Sequence, residues 1–293
     1  MNIRRSFGEK VFSVLNSAFM LFIVIITLYP FIYVVFASVS EPFGLMGHRG
    51  LLLKPVGFSL DAYKLVFKNP MIWISYKNTL VYVAAGTAVN MIMTTLGAYV
   101  LSRKGIKWKK YIMAMIVVTM FFSGGLVPKY LLIRELHWIN TIWAIIIPNA
   151  ISAYYLIIMR THFMGIPDSF EESAKIDGAN DFVVLWKVII PLAMPVIAVV
   201  VLFYAVAHWN SWFPESIYLP DRNKFPFQLI LREILIATSS SSMTVGEGRY
   251  ERASLEMTIR HATIIVATIP ILLAYPYLQK YFVKGVMIGS LKG

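Results

Sequence analysis

The 293-residue sequence contains no cysteine, which excludes disulfides, thiolate metal ligands and a thiol nucleophile. Acidic side chains are scarce, with 15 Asp and Glu against 27 Lys and Arg. Charge of either sign is scarce too, at 14% of residues, where a soluble domain carries about a quarter. The five histidines show no metal-ligand spacing. No Gly-x-x-x-x-Gly-Lys phosphate loop occurs, so the chain cannot hold ATP in that way. No His/Asp/Glu cluster or serine elbow stands at one depth, which speaks against an enzyme.

What is present is apolar: 58% of residues are hydrophobic, gathered in long uncharged runs. Six spanning helices are expected, over about 11–40, 78–102, 111–131, 136–159, 188–210 and 258–281, because a bilayer core needs about 20 residues each. The fold class is all-α, a polytopic membrane protein with one transmembrane domain over 1–293. The first run is longer than a signal-peptide core and lacks a small-residue cleavage pattern, so it reads as a retained helix.

The net charge of +12 lies in the loops, where it sets topology and does not call for nucleic acid. Arg103, Lys104, Lys107, Lys109 and Lys110 crowd one short connection, which belongs in the cytoplasm. An even number of spans then puts both termini on that side, with residues 166–191 inside and 41–77 and 211–256 outside. An ion-coupled secondary transporter would need ionisable groups within its spans. The uncharged runs that make up these spans (11–40, 78–102, 111–128, 136–159, 188–214 and 261–279) hold no Asp, Glu, Lys or Arg, which counts against this alternative.

Several local signals are specific. Pro30 and Pro148 remove helix hydrogen bonds, so spans one and four should bend. Ser123-Gly-Gly-Leu-Val-Pro128 should unwind or turn span three. Leu60, Tyr63 and Phe67 fall on one face of a short amphipathic helix. Gly86, Ala88, Gly97 and Ala98 let span two approach its neighbours closely. Trp209 and Trp212 fit an interfacial aromatic belt, with sugar stacking as the sharper reading. Ser239–Ser242 and Gly246–Gly248 have a flexible composition.

The most polar interior stretch runs from Ile166 to Pro195. Asp168, Glu171, Glu172, Asp177 and Asp181 crowd into fourteen of its positions. Such a stretch cannot lie bare in lipid. Asp168 and Glu171 have capping-box spacing, Gly178 can end a first helix in the left-handed region, and Asn180 or Asp181 can cap a second. By composition alone, an ordinary connecting loop remains as good a reading.

Glu172-Ser173-Ala174, Asp177-Gly178-Ala179 and Val188-x-Ile190-Pro191 resemble the EAA motif of ABC importer permeases. Ser173, Val188 and Ile190 are mild departures from it. Gly124-Gly125, Asn140-Thr141, Trp209-Asn210 and Gln279-Lys-Tyr-Phe-Val-Lys-Gly285 extend the likeness over nearly the whole chain. They resemble the carbohydrate-uptake branch that includes the maltose importer, and within it the subgroup importing polysaccharide fragments such as alginate.

The resemblance implies that Ser169–Pro191 is a cytoplasmic loop coupling the spans to an ATPase, with Glu171, Glu172, Ser173, Ala174, Asp177, Gly178, Ala179 and Pro191 in that role. Glu172 would pair with a basic residue of the ATPase, and the tail Gly289–Gly293 would reach towards it. The implied partners are a second homologous permease, an ABC ATPase dimer that binds ATP and Mg, an extracytoplasmic sugar-binding protein at 211–256, and membrane lipid. This chain would carry no cofactor of its own and would sit in a bacterial cytoplasmic (inner) membrane. Asn149, Tyr154, Tyr155, Tyr204 and Trp209 are the expected pathway lining.

Overall fold

The computed structural model describes residues 7–241 and 249–290; no strand occurs among them. Contacts divide the chain into two units, Met1–Pro70 with Leu231–Ile269 and Met71–Ile230 with Pro270–Gly293.

The first unit begins with α1 (Phe7–Ser38), an apolar helix with Pro30 inside it. Only its last turn is buried, at Ala37 and Ser38. The following segment folds beneath that end through α2 (Pro42–Gly47) and α3 (Asp61–Lys68). Ala37, Leu45 and Leu52 form its core, closed by Tyr33, Phe36, Val56 and Met257. Polar ends are paired: Ser38 and Tyr63 hydroxyls meet at 2.8 Å, and Leu52 N–H donates to Tyr29 Oη at 3.2 Å. Residues 41–60 are therefore less irregular than their Gly and Pro content implies.

The second unit is built on α4 (Pro70–Ser102). It starts earlier than the apolar run because Pro70 occupies the first helical position, where the missing N–H is no loss. Its buried stripe is Ile72, Ser75, Thr79, Tyr82, Gly86, Asn90, Thr94 and Ala98, at spacings of three and four. The stripe is mostly small or polar. Close backbone approach and hydrogen bonds between helices replace the hydrophobic drive that lipid cannot supply.

Three helix pairs are broken. α5 (Lys109–Phe121) and α6 (Leu126–Glu135) meet at 112° across Phe122–Gly125, where Gly125 takes φ 82°. The segment from α7 (Trp143–Ile146) through a 3-10 turn at Ile147–Asn149 bends 49° into α8 (Ala153–Met164). After α9 (Asp168–Ile176), α10 (Asp181–Val184), a π turn at Leu185–Ile189 and α11 (Ile190–Leu192) bend 86° into α12 (Met194–Trp209). Among the described residues, three helices are long and apolar enough to cross a membrane, and up to six spans arise if each bent pair is one.

Residues 211–256 hold more helix than loop: α13 (Phe213–Tyr218), a 3-10 turn at Arg222–Lys224, α14 (Phe227–Ser241) and the start of α15 (Arg249–Ser290). The Gly246–Gly248 segment and residues 291–293 of the tail lie outside the described residues.

Candidate functional site

The polar stretch folds as an elbow. α9 ends in a glycine cap: Gly178 takes φ +81°, its N–H donates to Lys175 O at 3.0 Å, and Ala179 N–H donates to Ala174 O at 2.9 Å. Asn180 Oδ1 accepts from Val183 N–H at 2.9 Å and starts α10. Lys175 ties the two arms together, reaching Glu171 at 2.9 Å and Asp181 at 3.2 Å.

The capping box does not form. Pro167 takes the cap position, and the side chains of Asp168 and Glu171 turn away from the backbone. Lys104 pairs with Asp168, and Arg103 with Glu171. These cations follow the C-terminal end of α4, so two salt bridges fasten α9 to that helix. Arg103 also lies over the Tyr99 ring, 4.9 Å from its centroid. Arg160 Nε donates to Leu101 O at 2.9 Å from α8.

The charges respond to this arrangement. The Lys104 hydrogen bond holds Asp168 below its usual range, and the same bond raises Lys104. Burial pushes Glu171 up, but hydrogen bonds from Lys175 and Arg103 outweigh it and leave it lowered. Lys175 is raised by its bonds to Glu171 and Asp181.

Beneath the elbow, Val184, Leu185, Ile189 and Ala193 pack against Ala98, Met159, Phe163 and Val200. Ala174 and Ala179 lie against the same core, which explains small residues there. The outer side is exposed: Glu172, Ser173, Asp177, Phe170, Phe182 and Trp186, with Ile176 at 86% exposure. Pro191 lies exposed in α11, just before the 86° bend. The outer side thus displays apolar groups beside carboxylates.

A second polar group joins α4, α6, the α7–α8 bend and α12. Asn90, fully buried, donates through Nδ2 to Asn149 O at 2.6 Å. Its Oδ1 lies 2.6 Å from His208 Nε2, which makes His208 the donor. Lys129 Nζ donates to Asn149 Oδ1 at 3.2 Å. Gly86 permits the approach of α12, since a Cβ there would stand 2.5 Å from the His208 ring.

The expected lining residues separate. Asn149 and Tyr154 are exposed and Tyr155 is partly buried. Tyr204 is buried with its hydroxyl engaged, 2.8 Å from Thr94 Oγ1 and accepting from Ser152 N–H at 3.0 Å. Trp209 is buried too, packed edge-on against Tyr76, so it forms no belt at an interface. Tyr204 and Trp209 belong to the core of this unit, because the small stripe of α4 draws α12 against it.

No protein-family model matches the chain. The polygalacturonan/rhamnogalacturonan transport system permease protein YtcP of Bacillus subtilis strain 168 is 41% identical over 285 residues, covering 97% of this chain and 99% of that one. The LplC protein of the same organism is 39% identical over 287 residues, covering 97% and 96%. A chain in the crystal structure of a bacterial ABC transporter importing the acidic polysaccharide alginate superposes with a TM-score of 0.87. It is 33% identical and covers 96% of this chain and 100% of that one. The chain belongs to the permease subunits of ABC sugar importers.

As a transport subunit, this ABC permease is not itself an enzyme. Sequence reasoning overlooked how the permease uses Arg103 and Lys104, which read only as topology signals. It also overlooked Asn90–His208 and Lys129–Asn149. Asn90 was legible as a polar residue within a span; no spacing links it to His208, because the two lie 118 positions apart.

Proposed function

We propose that this permease forms half of the pathway of an ATP-driven importer for uronic-acid-containing oligosaccharides. The elbow at 166–191 passes ATPase closure to the spans. Its exposed outer side, backed by salt bridges to the end of α4, is the observation that carries the reading. Glu172 and Asp177 face outwards to meet cations of the ATPase, while Phe170, Ile176 and Phe182 supply apolar area. Glu171 works from the inside: it holds α9 against Arg103, so a push on the elbow moves α4. Gly178 fixes the angle between the arms, and Ser173, Ala174, Ala179 and Pro191 complete the coupling segment.

The remaining parts follow from the same reading. A homologous second permease completes the pathway, an ABC ATPase dimer binds ATP and Mg, and an extracytoplasmic binding protein delivers cargo near residues 211–256. Both termini lie in the cytoplasm. Asn149 and Tyr154 are the lining candidates in this half. The cargo class is supported by the relatives' names, since polygalacturonan, rhamnogalacturonan and alginate all contain uronic acids.

The test is purification of the tagged chain in mild detergent, followed by reconstitution. An ATPase and a second permease should accompany it, and uptake of uronate oligosaccharide should require ATP. A chain that purifies alone and transports without an ATPase overturns the proposal.

A further inference from the structure

We propose that Lys129, held by Asn149, is the residue of this permease that recognises a cargo carboxylate. The inference rests on the acidic-cargo reading above and names the group that performs it.

Lys129 is carried by α6, which turns away from α5 at 112°. Among the described residues its Nζ has one hydrogen-bond partner, the neutral Asn149 Oδ1 at 3.2 Å. No carboxylate pairs with it among the described residues. Asn149 is exposed and Lys129 partly so, which leaves the ammonium's other donors accessible.

Depth makes this informative. Asn90, which holds Asn149 through its carbonyl, precedes Ser102 at the end of α4 by twelve residues, or about 18 Å of helix at 1.5 Å per residue. A level about 18 Å above the inner end lies inside a hydrocarbon core about 30 Å thick. An ammonium at that level cannot face lipid, so it faces a polar pathway or an opposing charge.

The setting is also fixed. Asn149 O is taken by Asn90, and Asn90 is oriented by His208. The Asn149 side chain is thereby left to aim Lys129. One neutral acceptor positions the ammonium without neutralising it, which suits a site that must release its anion as well as bind it.

The experiment uses the complete importer in proteoliposomes. It compares uptake of a uronate oligosaccharide with that of the same oligosaccharide after carboxyl reduction. The wild type should favour the acid by about tenfold or more, the scale of one hydrogen bond to a charged group. Lys129→Gln should bring the ratio towards one, and Lys129→Arg should keep it. Since this chain has no cysteine, Lys129→Cys can be modified with 2-aminoethyl methanethiosulfonate, which should restore the preference. The sulfonatoethyl reagent should not, and this within-variant comparison holds even if Lys129→Gln fails to assemble. A wild type with no preference for the acid overturns the acidic-cargo reading and this inference with it. A preference that survives loss of the ammonium overturns this inference alone.

Discussion

Arg103 donates to Glu171 across 68 residues of sequence, joining the end of α4 to the first turn of α9. Both side chains are mostly shielded, at 17% and 15% exposure. Losing Glu171 leaves the shielded Arg103 poorly compensated, at about 1–3 kcal/mol, whereas losing Arg103 leaves Glu171 with Lys175 but frees α9 from α4. Arg103→Ala and Glu171→Gln should each lower cargo uptake severalfold more than they lower ATPase activity. The Arg103→Glu/Glu171→Arg pair should recover part of the coupling. Equal losses of uptake and ATPase in both single variants would remove the clamp from the mechanism.

At Gly178 a Cβ would meet no atom within 4 Å, so the cost of substitution lies in the backbone alone. A side chain in the left-handed region costs about 1–2 kcal/mol, and least for Asn. Uptake should therefore fall in the order Gly178→Asn, Gly178→Ala, Gly178→Val. Gly178→Pro should abolish it, since proline cannot adopt this φ or donate to Lys175 O. Membrane insertion should be intact in all four. Steady-state uptake with quantified membrane levels checks the order.

Gly86 presents the opposite case, because a methyl group there would strike the His208 ring. Gly86→Ala should destabilise the solubilised complex by about 1–3 kcal/mol, the usual cost of overpacking. Thermal unfolding measures it. Combining Gly86→Ala with His208→Ser should restore much of the lost stability while giving up the bond to Asn90.

The elbow's charges set a pH window. Asp168 and Glu171 are lowered, so their stabilisation is complete above their ordinary values of 3.8 and 4.5 and is lost as pH falls through the lower folded values. Lys104 and Lys175 are raised, so theirs is complete below 10.5 and is lost as pH rises past it. Proteolytic protection of α9 should be flat between pH 6 and 9, about the range that both windows leave untouched. A protection loss centred near neutrality would contradict this assignment.

The sequence was most informative where structure is local. Gly178 and Asn180 define the elbow through bonds that span only a few residues, and turn chemistry predicts them. Gly124-Gly125 and Pro148 mark two of the breaks for the same reason. Asp168 and Glu171 misled because their partners, Lys104 and Arg103, come from 64 and 68 residues away and outcompete the backbone. Trp209 misled because an aromatic near the end of an apolar run suits an interface and a core equally. Only the stripe on α4 decides between them. Lys129 reads from the sequence only as one of the outer-face basic residues, because nothing near it in the chain shows that Asn149 will meet it.

The elbow closes on itself. Its glycine cap, the Asn180 cap and the Lys175 link to both Glu171 and Asp181 are all internal to one short segment. A part held together in this way is preorganised, so docking it against a partner would carry little conformational-entropy penalty. Under the proposed coupling role, such a contact would persist through the nucleotide cycle with modest buried area, and the cycle's free energy would go into displacing the helices and not into refolding the joint.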